Sequence, residues 1–203
     1  MLASCERDAY DKGEGEYSLM TAEMVEAHVD GDKHVDRVET DDGLRLSVKN
    51  SFTTSWIHTA DTTYRGLLYY NNIGEDKAEA VSLIRVGVLQ PRDSIEGGLK
   101  TDPLYLESAW VGRNHKYLNL RLRLLTGSTD DENAIQTLGL LADTLLSTPS
   151  HVRLTLCHGQ GGQPEYYSVN AYVSIPLSAF TADTLTLTVN TYGGSIQRTF
   201  TRQ

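Results

Sequence analysis

The 203-residue chain carries 39% hydrophobic and 22% charged residues with a formal net charge of −9, a globular composition with room for two domains of roughly 100 residues each. Residues 1–100 hold 19 acidic against 11 basic side chains, a net of −8, and residues 101–203 hold 8 against 7, a net of −1. So acidic a surface repels phosphate backbones, which argues against nucleic acid as a partner, and no apolar run approaches the ~18 residues that a membrane-spanning helix needs.

Leu2-Ala3-Ser4-Cys5 matches the pattern at which bacterial lipoprotein signal peptides are cut. The peptidase needs small side chains near the cut, and the lipid transferase needs a thiol nucleophile at Cys5. The basic and apolar regions of a signal peptide are missing ahead of it, so Met1 reads as an added start or the last piece of a truncated signal. A charged, Gly-bearing tether follows over residues 6–16 and cannot build a core. Two or three acyl chains on Cys5 would make an effectively permanent anchor. The expectation is export, with lipid anchoring to the outer membrane on its periplasmic or surface face.

Period-two alternation, the mark of half-buried strands, dominates the rest. Residues 20–29 lead into Asp30-Gly31-Asp32, a hairpin signal, then a strand over 34–38, a turn at Asp41-Asp42-Gly43 and a strand over 44–48. Longer, more buried strands are expected over 64–70 and 81–89. About five strands with a meander opening suit a small closed barrel of the OB type. Pro91, Asp93, Ser94, Gly97, Gly98 and Pro103 collect strand breakers, and the domain boundary is placed there. Beyond it, Leu118, Leu120, Leu122 and Leu124 alternate with polar residues. The same holds around Leu154, around Val173 and around Leu187, as an antiparallel sandwich requires. Residues 130–145 carry both an N-cap with helical spacing and a strand pattern over 135–140; both readings stay open, with the strand preferred. The expected organisation is a tether over 1–16, an OB-like barrel over 17–95 and an immunoglobulin-like antiparallel β-sandwich over 102–203.

The six histidines include no pair at metal-ligand spacing, and Cys157-His158 are adjacent, so on a strand they point to opposite faces. The acidic stretch 23–42 fails the EF-hand pattern, with His34 and Val35 where an oxygen ligand and Gly should stand. Gly159-Gln160-Gly161-Gly162 follows a strand but precedes no helix, so it reads as a hairpin or bulge and not as a phosphate loop. Cys5 and Cys157 read as independent thiols. No catalytic residue, metal site or cofactor is indicated. Trp56, in a polar Thr-rich stretch, is the best single candidate for ligand binding, although packing beneath a loop is the commoner role for such a ring. Trp110 and the doublets Tyr69-Tyr70 and Tyr166-Tyr167 fall in strands, where one member of each doublet must face outward.

The order of these features resembles a known family. The lipidation motif at Cys5, Asp41-Asp42-Gly43, Tyr64-Arg65-Gly66, Tyr117-Leu118-Asn119-Leu120 and Leu154-Thr155-Leu156-Cys157-His158 are similar to those of the NigD-like proteins of Bacteroidetes. Where that family is expected to place Asn after the histidine, Gly159 stands, so no role of that loop is carried over. The resemblance implies an N-terminal OB-like domain, a C-terminal β-sandwich and secretion as a lipoprotein, with no established activity. The family name comes from a bacteriocin-associated operon, which is association and not mechanism. The resulting expectation is a non-enzymatic envelope lipoprotein that serves as a binding or assembly module. Its partner would be an envelope protein or a glycan, met through exposed aromatics in the second case. An enzyme whose site is hidden from sequence spacing is the third possibility.

Overall fold

Alternation in the first half builds strands whose apolar faces turn inward and close on one another. The computed structural model describes residues 20–95, 98 and 100–202; Cys5 lies outside them. Strands β1 (Thr21–Val29), β2 (Val35–Thr40), β3 (Arg45–Phe52), β4 (Thr62–Asn72) and β5 (Lys77–Arg85) form a closed barrel in the order β1-β2-β3-β5-β4. Closure leaves this sheet without a free edge. Val25, Ala27, Val29, Val38, Leu46 and Leu68 fill the interior, and Ile57 caps it from the β3–β4 loop. Gly66 is required by packing, because a Cβ there would lie 2.5 Å from a Leu83 methyl carbon.

Strand β4 is buried on both faces from Arg65 to Leu68. Gly66 and Leu68 turn toward the barrel interior, while Arg65 and Leu67 point outward and are covered by the second domain. Met24 on β1 likewise faces out of the barrel, and it packs with Leu67, Val86, Tyr69 and Tyr172. Covering a side chain such as Met24 or Leu67 contributes about 2 kcal/mol.

The second domain is the expected sandwich. Its strands are β6 (Gly87–Val88), β7 (Pro91–Arg92), β8 (Tyr105–Val111), β9 (Tyr117–Thr126), β10 (Thr137–Thr148), β11 (His151–Gly159), β12 (Tyr167–Pro176), β13 (Thr184–Thr191) and β14 (Gly194–Thr201). One sheet runs β14-β13-β11-β10-β7 and the other β6-β12-β9-β8. Leu118, Leu120, Leu122, Leu140, Leu156 and Leu187, each at most 2% exposed, form the core between them. Most ladders are antiparallel, but β7 joins β10, β6 joins β12 and β13 joins β11 in parallel.

One detail differs from the sequence reading. Residues 87–92, expected in the barrel, pair with the sandwich, one short strand in each sheet. Two-residue strands around Pro91 carry no periodic signal, so the strand breakers hid them. The stretch left open between helix and strand takes the preferred strand: Asp131 Oδ1 accepts the Asn133 N–H in a turn at 2.9 Å, and β10 then runs from Thr137.

Candidate functional site

On the outer face of the β6-β12-β9-β8 sheet, Ser174, Asn119 and Trp110 lie in one register row, with Tyr172, Arg121 and Ser108 in the next. The barrel docks on the first of these rows. Arg65 donates from Nη2 to Asp41 Oδ2 at 2.6 Å and to Asn119 Oδ1 at 3.0 Å, and from Nε to Ser174 Oγ at 3.1 Å. Asn119 Nδ2 donates to Asp41 Oδ2 at 2.6 Å, and Ser174 Oγ donates to Asn119 Oδ1 at 2.7 Å. All four residues are buried. A buried guanidinium is tolerable only when paired and hydrogen-bonded, and here both domains supply the partners.

The β8–β9 turn completes the joint. Asn114 N–H donates to the Asp41 carbonyl at 2.7 Å, and the Arg65 guanidinium lies 4.1 Å from the Tyr117 ring centroid. Tyr117 donates its hydroxyl to Glu26 at 2.8 Å, and Lys116 bridges Glu26 at 2.7 Å and Glu39 at 2.6 Å. The bonds to Glu26 and Glu39 hold the Lys116 ammonium above its ordinary pKa, and the bond from Lys116 holds Glu39 below its own. Burial, reinforced by Glu26, pushes Tyr117 up to about 12.

Beside this joint lies a cleft of about 410 Å³ between the domains. The barrel contributes Glu23, Asp41 and Tyr69, and the sandwich contributes Trp110, Arg121 and Tyr172. Trp110 is 37% exposed, and Tyr69 and Tyr172 are half-buried. Asp41 is 7% exposed, and its Oδ1 has no protein partner. Clefts at domain junctions with aromatic walls and a few convergent polar groups are where ligands most often bind.

A broader groove of about 730 Å³ crosses the outer barrel face over β1, β2 and β3. Its charged groups engage neighbouring side chains, as Arg45 does with Glu39 at 3.1 Å and His28 with Asp36 at 2.8 Å. It therefore has the character of a solvated strand face.

Trp56 sits half-buried in the β3–β4 loop, edge-on to Tyr64 with ring centroids 5.6 Å apart, and it packs against the barrel core. It lies outside the lining of both cavities. Cys157 is buried and free, and burial pushes its thiol pKa up. His158 is buried as well, with Nδ1 3.1 Å from the Asp102 carbonyl. Among the described residues no group of three His, Cys, Asp or Glu side chains is arranged to hold a metal.

The family model of the NigD-like C-terminal beta sandwich domain matches residues 87–202, more than half of the chain. The chain belongs to the NigD-like family. The fold also recurs in solved structures. A NigD-like immunity protein from Bacteroides caccae is 24% identical with a TM-score of 0.69, covering 90% of this chain and 97% of that one. A protein of unknown function from Bacteroides vulgatus is 16% identical, TM-score 0.67, with 91% of each chain covered. A candidate lipoprotein from Bacteroides fragilis is 12% identical, TM-score 0.62, covering 91% of this chain and 98% of that one. At these identities the likeness is one of fold. No curated protein matches the chain.

In this NigD-like protein three of the motifs that carried the sequence resemblance converge at the joint. Asp41 of Asp41-Asp42-Gly43, Arg65 of Tyr64-Arg65-Gly66, and Tyr117 and Asn119 of Tyr117-Leu118-Asn119-Leu120 are the residues that lock barrel to sandwich. The cleft was not found from sequence. Its walls come from β1, β4, β8, β9 and β12, which no local spacing connects.

Proposed function

We propose that this NigD-like protein is a non-enzymatic binding module of the cell envelope. A lipid on Cys5 tethers it to the outer membrane, and the cleft between its domains holds an envelope protein or a glycan. The observation that carries this reading is the cleft itself, whose walls belong to two domains fixed by a buried hydrogen-bonded network. A preformed cleft spends little free energy on ordering when a ligand enters. Ala22 and Glu23 at the start of β1 are part of its wall. The lipid anchor is supported by the Leu2 to Cys5 motif and by a structural neighbour described as a candidate lipoprotein. Among the described residues no helix is long and apolar enough to cross a membrane.

Two measurements test the reading. Cells expressing the gene with its signal peptide are labelled with a clickable palmitate, and the label is expected on the wild type and absent from Cys5→Ala. Photo-crosslinking in the same cells, with benzoylphenylalanine at Ser108 in the cleft or at Leu145, 93% exposed on the sandwich, is expected to give an adduct specific to Ser108. Identical adduct patterns from the two positions would remove the cleft as the binding site. The Bacteroides caccae neighbour is described as an immunity protein, and a protein adduct from Ser108 would favour a protein partner over a glycan.

A further inference from the structure

We infer that the interdomain cleft binds a neutral sugar, a terminal mono- or disaccharide unit stacked on Trp110; this rests on the reading of the cleft as the binding site.

Three observations select that chemistry. The first is the balance of charge. Asp41 is compensated by Arg65 at 2.6 Å and Asp42 by Arg113 at 3.1 Å. Of the remaining charged groups in the cleft, Glu23 stands on the barrel wall and Arg121 on the sandwich wall. Acid and base are therefore balanced within the lining of the cleft itself. A cationic peptide side chain or an anionic saccharide would leave one of these two groups opposed by a like charge.

The second is the pairing of aromatic and polar groups. A pyranose ring presents apolar C–H faces and a rim of hydroxyls, so it needs a flat apolar surface edged by both donors and acceptors. Trp110, Tyr69 and Tyr172 supply the apolar surface. Arg121 supplies fixed N–H donors that can fork onto two adjacent hydroxyls. Glu23 supplies an acceptor, its Oε2 already held by the Tyr70 hydroxyl at 2.9 Å.

The third is size. At about 410 Å³ the cleft lies near the lower end of the roughly 300–1,000 Å³ typical of small-molecule sites, which suits one or two sugar rings.

The test uses the full mature chain on an array of neutral oligosaccharides of hexoses, deoxyhexoses and N-acetylhexosamines. Sulfated and uronic-acid oligosaccharides and lysine-rich peptides serve as comparators. Hits are quantified by calorimetry with wild type, Trp110→Ala, Arg121→Ala and Trp56→Ala, each first shown by circular dichroism to be fully folded at the assay temperature. Neutral glycans are expected to bind, with affinity falling about tenfold or more in Trp110→Ala, falling in Arg121→Ala, and unchanged in Trp56→Ala. Binding that survives Trp110→Ala, binding restricted to the charged comparators, or no binding to any neutral glycan would overturn the proposal. If the sugar fails while crosslinking from Ser108 still gives a cleft-specific adduct, the ligand class falls and the cleft stands.

Discussion

Arg65 of the barrel and Asn119 of the sandwich, 54 positions apart, meet at 3.0 Å in a buried contact. Asp41 and Ser174 each bond to both of them. The pair ties the two cores into one unit, so the wild type is expected to unfold in a single transition. Removing one member of a buried ion pair leaves the other uncompensated, at about 3–5 kcal/mol. Arg65→Ala should therefore lose about that much in urea denaturation monitored by circular dichroism. Arg65→Lys should not restore it, since one ammonium cannot span Asp41, Asn119 and Ser174 as the planar fork does. A loss under 1 kcal/mol in Arg65→Ala would mean that the joint is held by other contacts.

Gly112 packs against the same carboxylate. A Cβ there would lie 2.8 Å from Asp41 Oδ2 and 3.0 Å from its Cβ. Gly112→Ala is expected to push the β8–β9 turn off Asp41 and to cost about 1–3 kcal/mol. Thermal denaturation checks it, and an unchanged melting temperature would show that the turn moves aside freely.

Much of the fold was legible because a half-buried strand writes its burial into alternate residues. Leu118, Leu120, Leu122 and Leu124 show this on β9, and Val25, Ala27 and Val29 on β1. The joint was not legible for the opposite reason. Leu67 and Leu68 are adjacent and both buried, one against the sandwich and one inside the barrel, which breaks alternation without saying what covers the second face. Arg65 and Asn119 read as ordinary polar residues on outward faces. Only their place in short family-like motifs marked them, and a motif does not reveal that its members meet. Edge strand β14 was missed because most of its side chains are exposed on both faces.

Tyrosine ionisation should report the joint at Tyr117 and the Tyr105–Tyr192 stack on the sandwich. Burial first, then Glu26 for Tyr117 and Glu165 for Tyr192, push both hydroxyls up to about 12, against about 10 for a free tyrosine. Their folded-state values are raised, so the stability linked to them is complete below pH ~10 and is lost as pH rises toward ~12. Absorbance titration near 295 nm should show a late class that ionises together with loss of structure. Ionisation of every tyrosine in one step near pH 10, with the fold intact, would contradict these environments.

Trp56 and Trp110 should separate in their effects. Trp56 packs edge-on to Tyr64 and on the barrel core, so Trp56→Ala should cost about 1–2 kcal/mol, less than for a fully buried ring. Trp110 stands more than one-third exposed beside the cleft, and Trp110→Ala should leave stability within about 0.5 kcal/mol of wild type. Urea denaturation of both variants decides this, and the reverse order would place the structural ring in the cleft.

The central claim is that barrel and sandwich form one rigid body whose junction shapes the cleft. Residual dipolar couplings of backbone amides in weakly aligned solution test it most directly. Couplings from β1–β5 and from β8–β14 are expected to fit a single alignment tensor in the wild type and two different tensors in Arg65→Ala. Two tensors in the wild type would mean that the domains move independently, and the cleft between them would not be a preformed site.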